Sequence, residues 1–352
     1  MAKEKAPKPA PLYLRIEPKR DAYVWQQEIN ALVAADGASR VILYNGSNRS
    51  MQMRGGGWLK PINGFHPAHV ESEEAFRGFL EECLTHGVRM PSSYSDVFMR
   101  MFRPPRLPWS VNAQFVEHFA GPWEEAKERG LLPGFWRQYD LNRAYKWASA
   151  QGLPDTDSFE KTDRLSAKLP GVYVARIANA YDGCPHPYNR DGWVMVSDEE
   201  IDAYNLTIAE VSGGVCWRRT LDPGVCVSVM ERLSFGELVA KTFWGLWAAR
   251  NPVQTYYPAK DKIVVGRSVF LNLPWAHFIV SKIKLRVHEV SGNACHVFCD
   301  SIITRDALPT SDDVGAWKLV QEFPEGVYVE GAGRYGYNMK ELIKHSGTKR
   351  TA

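Results

Sequence analysis

The sequence predicts an α/β chain of the α+β type: a small N-terminal α/β domain, then a larger domain built on an antiparallel sheet backed by helices. Three observations predict it. From Leu12 to His86 the apolar spacing runs strand, helix, strand, loop, helix, the order of a small α/β unit. The Pro-rich string Phe102-Arg-Pro-Pro-Arg-Leu-Pro108 then breaks the pattern and is the expected linker. Beyond it, two apolar, aromatic-rich runs each end on an aspartate, Asp140 and Asp300, where a strand hands over to a turn.

The N-terminal elements follow in order. Leu12 to Ile16 alternates like a strand, and Ala22 to Ala35 reads as a helix closed by Asp36-Gly37. Arg40-Val-Ile-Leu-Tyr44 is a strand ended by Asn45-Gly46-Ser47. Ser72 to His86 is a helix, with Ser72 as cap, Glu74 in the first turn and Gly87 as stop. In the larger domain, Phe135 to Leu141 and Gly171 to Ala178 are strands, and Phe235 to Arg250 is a strongly apolar helix bounded by Asn251-Pro252. Pro274 to Val290 is a helix with Pro in its first turn. Ser291-Gly292-Asn293 turns it into the strand Ala294 to Cys299. Val327 to Val329 and Arg334 to Tyr337 are short strands. If the strand ending at Asp140 pairs with the one ending near Asp300, both carboxylates meet on one face of an antiparallel sheet floored by the Pro274 to Val290 helix.

Composition narrows the class. The 352 residues are enough for two or three domains, and 45% hydrophobic with 24% charged residues is ordinary for a globular protein. No stretch approaches 18 uncharged apolar residues, and no apolar signal core opens the chain, so neither a membrane span nor export is expected. Six cysteines show no C-x-x-C pair, which fits a reducing cytoplasm. The net charge of +3 permits nucleic-acid binding without arguing for it. The Pro-, Ala- and Lys-rich residues 1–11 are expected to form a disordered arm, solvated or touching phosphates.

Two aspartates brought side by side make an all-oxygen site that suits Mg2+, which takes one or two carboxylates and phosphate oxygens. That set points to phosphoryl transfer with two Mg2+ (or Mn2+) ions. The alternative is two unrelated aspartates at strand ends. The flanking residues favour the site. Asp140-Leu141-Asn142-Arg143-Ala144-Tyr145-Lys146 resembles the D-x-x-S-L-Y-P motif of family B DNA polymerases, in their protein-primed branch of phages and linear plasmids. Phe298-Cys299-Asp300-Ser301-Ile302 resembles D-T-D-S-I, and Leu308-Pro309 with Gly315-Ala-Trp-Lys318-Leu319 resembles the run after it. Phe119-Ala120-Gly121 is similar to the Y-x-G-G turn, Arg334-Tyr335 to K-x-Y, and Lys344-His-Ser-Gly347 to K-x-x-G.

The resemblance implies a polymerase palm in two parts, 108–230 and 263–352, with short helical fingers over 231–262 and a thumb minimal or absent. Residues 12–107 would be a degenerate exonuclease-like domain, because Arg15 and Ser50 stand where that motif set has aspartates. It implies metal binding by Asp140, Asp300 and the Leu141 carbonyl. The incoming nucleotide would meet Asn142, Arg143, Ala144, Tyr145, Lys241, Trp244 and Gly245. DNA would meet Gly121, Arg334, Tyr335 and Lys344. Tyr145 would exclude a 2'-hydroxyl. Implied partners are primer-template DNA, dNTPs, and a terminal protein, processivity factor or single-strand-binding protein. Two departures stand out. Glu237 replaces the fingers lysine, with Lys241 one turn away, and Phe298 replaces the first Asp of D-T-D. They keep open a second reading, a degenerate homologue that binds nucleic acid without chemistry.

Overall fold

The strand Trp136–Leu141 occupies the second place in a five-stranded antiparallel sheet. The order is Trp317–Phe323, Trp136–Leu141, Ser301–Thr304, Ala294–Phe298, Glu124–Ala126. In this computed structural model, residues 81–88, 94–179, 184–189, 192–248 and 270–338 are described. Strands Tyr23–Gln26, Ala31–Ala34, Met51–Gln52, Trp58–Leu59, Val253–Tyr257, Lys262–Gly266 and Leu342–Lys344 are described as backbone.

One face of the sheet carries Trp136, Ile303 and Phe323. They form a core with Leu132, Val327, Val329 and Tyr335 from a second antiparallel sheet, ordered Leu342–Lys344, Arg334–Gly336, Gly326–Gly331, Gly130–Pro133. A third antiparallel sheet, Trp193–Ser197, Gly171–Ile177, Ile208–Trp217 and Phe159–Thr162, has its own core of Tyr173, Ile177, Tyr188, Val194 and Val196.

The helix Leu273–His288 starts where sequence chemistry places it. Asn272 Oδ1 accepts from the Trp275 amide at 3.1 Å and Pro274 sits in the first turn. Most of its residues are buried, on every side of the helix. It packs against the short helix Ala144–Ser149. Its end is tied to the five-stranded sheet by Lys127 Nζ, which donates to the Ser291 carbonyl at 2.9 Å. The predicted antiparallel sheet backed by helices is the architecture observed.

The chain divides into two compact units. One comprises Met1–Pro104, Arg232–Phe243 and Ala249–Val269, and the other Pro105–Glu231, Trp244–Ala248 and Phe270–Ala352. In the first, helix Tyr94–Phe102 meets the segment beginning at Phe235 through ring contacts, Tyr94 to Phe235 at 4.8 Å and Phe98 to Phe243 at 5.2 Å.

Two expectations are corrected. Ala22 to Ala35 is not a helix but a hairpin, with Tyr23 opposite Ala34 and Gln26 opposite Ala31. Tyr-Val-Trp and Leu-Val prefer a pleated surface over a helix. Phe235 to Arg250 is not one helix: it forms Gly236–Thr242 and Trp244–Trp247, with a break at Phe243. The halves are anchored in different cores, Phe243 on Phe98 in the first unit and Trp247 on Trp275 at 4.8 Å in the second. Tertiary packing outweighs helix propensity there. The strands expected at Leu12 to Ile16 and Arg40 to Tyr44 lie outside the described residues, as do positions 15, 17 and 45–50. Of the Ser72 to His86 helix, residues 81–85 are described and helical. Among the described residues no helix is long and apolar enough to cross a membrane.

Candidate functional site

Asp140 is the penultimate residue of its strand. It faces Ser301 on one neighbour and Lys318 on the other. The Leu141 amide donates to the Asp300 carbonyl at 2.9 Å, so Asp140 and Ser301 form a non-hydrogen-bonded pair, the closer kind in an antiparallel ladder. The N–H and C=O of one strand residue point to the same neighbour, so the Leu141 carbonyl also faces the Asp300 turn.

Asp300 is the second residue of a two-residue turn joining Phe298 to Ser301. Cys299, the first, takes φ of 58°, the sign a type II′ hairpin needs at that position. A non-glycine residue there costs on the order of 1 kcal/mol or more. The Cys299 amide is held in return by the Trp123 carbonyl at 2.7 Å.

Titration directions report the convergence of charge. Burial first, then Asp300, Cys299, Glu124 and Asp140, push the Tyr145 hydroxyl well above its usual value. Burial, Glu124, Asp300 and Asp140 do the same to the Cys299 thiol. Burial and Asp140 raise the Tyr335 hydroxyl, against a hydrogen bond with Gln138. Three carboxylates thus act on one small region, and Asp140 and Asp300 flank one backbone hydrogen bond.

The oxygen set suits a hard cation. Among the described residues no group of three or more His, Cys, Asp or Glu is placed to hold a metal ion. Two carboxylates and the Leu141 carbonyl match Mg2+, which keeps several waters and binds through few protein oxygens. Tyr145 lies stacked on Trp244, with ring centroids 5.4 Å apart and planes 2° from parallel.

Other nominated residues divide. The Asn142 amide donates to the Ala316 carbonyl at 2.8 Å, and its Nδ2 donates to the Asp312 and Asp313 carbonyls at 2.5 and 3.1 Å. The Leu141 amide is likewise engaged, and Arg143, Ala144 and Tyr145 follow at the start of Ala144–Ser149. Their amides open a helix, where helical geometry offers no acceptor. Arg143 itself takes φ of 52°. Trp244 and Gly245 lie on the short helix Trp244–Trp247. Lys241 is exposed in the last turn of Gly236–Thr242, in the first unit.

Gly121 lines a cavity of about 310 Å³ with His118, Glu124, His186 and Trp193. Tyr335 is buried, whereas Arg334 is exposed and paired with Glu330 at 2.6 Å. Lys344 lies opposite Arg334 in register. Sequence reasoning missed Glu124, Gln138 and Ser301. Glu124 stands directly across from Phe298, the position where the motif lacks its acid, and only strand register reveals that.

Two solved structures of phi29 DNA polymerase are similar to this chain. The complex with primer-template DNA and incoming nucleotides has a TM-score of 0.56 and 12% identity, covering 74% of this chain and 57% of that one. The post-translocation complex with primer-template DNA has a TM-score of 0.54 and 12% identity, covering 78% and 60%. The fold is therefore DNA-polymerase-like, and the chain spans 60% or less of the polymerase's length. No family model and no curated protein matches the sequence.

Proposed function

We propose that this protein is a template-directed DNA polymerase of the protein-primed family B kind. It would add deoxynucleotides to a primer 3'-hydroxyl without proofreading. The observation that supports the reading is the Leu141–Asp300 backbone bond, which ties the Asp300 turn to the residue after Asp140, in a fold similar to a DNA polymerase.

Asp140, Asp300 and the Leu141 carbonyl would hold two Mg2+ or Mn2+ ions. When bound, those ions lower the pKa of the primer hydroxyl and neutralise triphosphate charge. The chain's own residues do the rest. Amides of Arg143, Ala144 and Tyr145 orient phosphate oxygens. The Tyr145 ring, raised in pKa and so kept neutral, packs under the sugar and leaves no room for a 2'-hydroxyl. Its stack with Trp244 would have to open if a base is to lie against either ring. Primer-template DNA and dNTPs are the proposed substrates. A terminal protein, processivity factor or single-strand-binding protein would supply further grip on the DNA.

The second reading, a nucleic-acid-binding homologue without chemistry, is favoured by Phe298, whose ring fills the acid's place and packs against Gly333. Primer extension decides between them. With Mg2+ or Mn2+, wild type should extend a primed template with dNTPs and Asp300→Ala should not. Identical traces from the two proteins would leave only binding.

A further inference from the structure

We infer that Lys318 is the cation that grips nucleic-acid backbone at this centre, in place of the Arg334 that the sequence nominates. The inference rests on the polymerase reading and adds to it a contact with a phosphodiester of the primer-template. Lys318 is directly opposite Asp140 in register. Directly opposed residues project to the same face, with Cβ atoms about 5 Å apart. Trp317–Phe323 is the outer strand of the sheet, so Lys318 flanks Asp140 on the side away from Asp300. It is exposed, and it forms no ion pair among the described residues.

Arg334 differs on each count. It precedes Tyr335, and neighbours along a strand point to opposite faces. Tyr335 is the one turned inward, hydrogen-bonded to Gln138 and within the field of Asp140. Arg334 therefore points away, where Glu330 holds it at 2.6 Å.

The chemistry requires such a cation. Asp140, Asp300 and Glu124 concentrate negative charge where a polyanion must end. A lysine ammonium is a compact point charge suited to a phosphate. On the proposed reading the triphosphate is met by the amides of Arg143 to Tyr145 and by the metal ions, which leaves Lys318, on the outer strand, for a phosphodiester of the primer-template.

The test uses the full chain and a fluorescent primer-template, with anisotropy read across a salt series and dNTP KM measured separately. Lys318→Ala should weaken primer-template binding about tenfold and reduce the salt slope by about one, while Lys318→Arg restores both. Arg176→Ala, which removes a cation from the third sheet, should stay within twofold of wild type. The inference is overturned if Lys318→Ala binds primer-template like wild type, or if it changes only the dNTP KM. Wild type that binds primer-template through Lys318 but never extends it would sink the polymerase reading and keep the contact.

Discussion

Two regions of the second unit bury or half-bury carboxylates, and they treat them in opposite ways. At the rim of the five-stranded sheet, Asp140, Asp300 and Glu124 act together, and with burial they push both the Tyr145 hydroxyl and the Cys299 thiol upward. Beside the third sheet, on the short helix Asp198–Ala203, Glu200 is wholly buried and surrounded by donors: His277 Nε2 at 2.7 Å, Tyr188 hydroxyl at 2.7 Å, and the Ser197 amide and hydroxyl at 3.0 and 3.1 Å. Burial alone would raise Glu200, but His277, Lys284 and Tyr188 overcome it and lower its pKa to about 2. Like charges left in proximity await a cation, and a carboxylate saturated with donors needs none. On the proposed function the first region serves a ligand, whereas the donors around Glu200 serve the fold.

The largest expected effect separates the two. Asp140→Asn preserves shape and removes a charge, so primer extension should fall by a factor of about 1,000, roughly 4 kcal/mol in the barrier. Its unfolding midpoint in urea should hardly move, because relieving like-charge crowding costs the fold nothing. A variant that unfolds easily would assign Asp140 to structure and erase the contrast. His277→Ala should do the reverse. It strips a donor from a buried carboxylate and should lower stability by about 3 kcal/mol, with the specific extension rate of folded protein unchanged. A loss under 1 kcal/mol in urea melts would show that Glu200 does not depend on His277.

Acid sharpens the same contrast. Glu200 titrates near 4.5 when unfolded and about 2 when folded, so the unfolded chain binds more protons between those values. Its stabilisation is complete above about pH 4.5 and is lost as pH falls toward 2, up to about 3 kcal/mol in all. Glu200→Gln should flatten that acid limb in melts taken from pH 5 to pH 2.5. An unchanged limb would place the acid sensitivity elsewhere.

Much of this division was legible in the sequence, and what was not has a common cause. The helix Leu273–His288 announced itself through a capping Asn, a first-turn Pro and a Ser-Gly-Asn exit. The strands ending near Asp140 and Asp300 were legible because long apolar runs met a turn. Tyr23–Gln26 misled because an aromatic, β-branched quartet embedded in polar residues fits either period over so short a span. Glu124 went unnoticed, and Lys318 stood in a motif without a role, for another reason. Their importance lies in what stands across from them, Phe298 and Asp140, and register between strands distant in sequence leaves no local trace. The engagement of Asn142 was hidden similarly, since its amide is held by Ala316, in a turn distant in sequence.

The smallest effect concerns Lys284, and its sign tests whether the buried region is as complete as it looks. Lys284 is fully buried beside Glu200, its Nζ makes no hydrogen bond among the described residues, and it lies 5.3 Å from the Tyr188 ring centroid. Burial lowers its pKa despite the opposing pull of Glu200. A folded state that holds a proton less tightly than the unfolded chain gains stability as pH rises toward the unfolded value near 10.5. At neutral pH the ammonium is therefore a net cost. Lys284→Met keeps the length and removes the charge, and Glu200 retains His277, Tyr188 and Ser197. The variant should gain about 1 kcal/mol at pH 7, and its advantage should shrink by pH 9.5, where wild type recovers. Destabilisation at both pH values would mean that Glu200 needs the lysine charge as well as its hydrogen-bond donors, making the region an ion-paired triad.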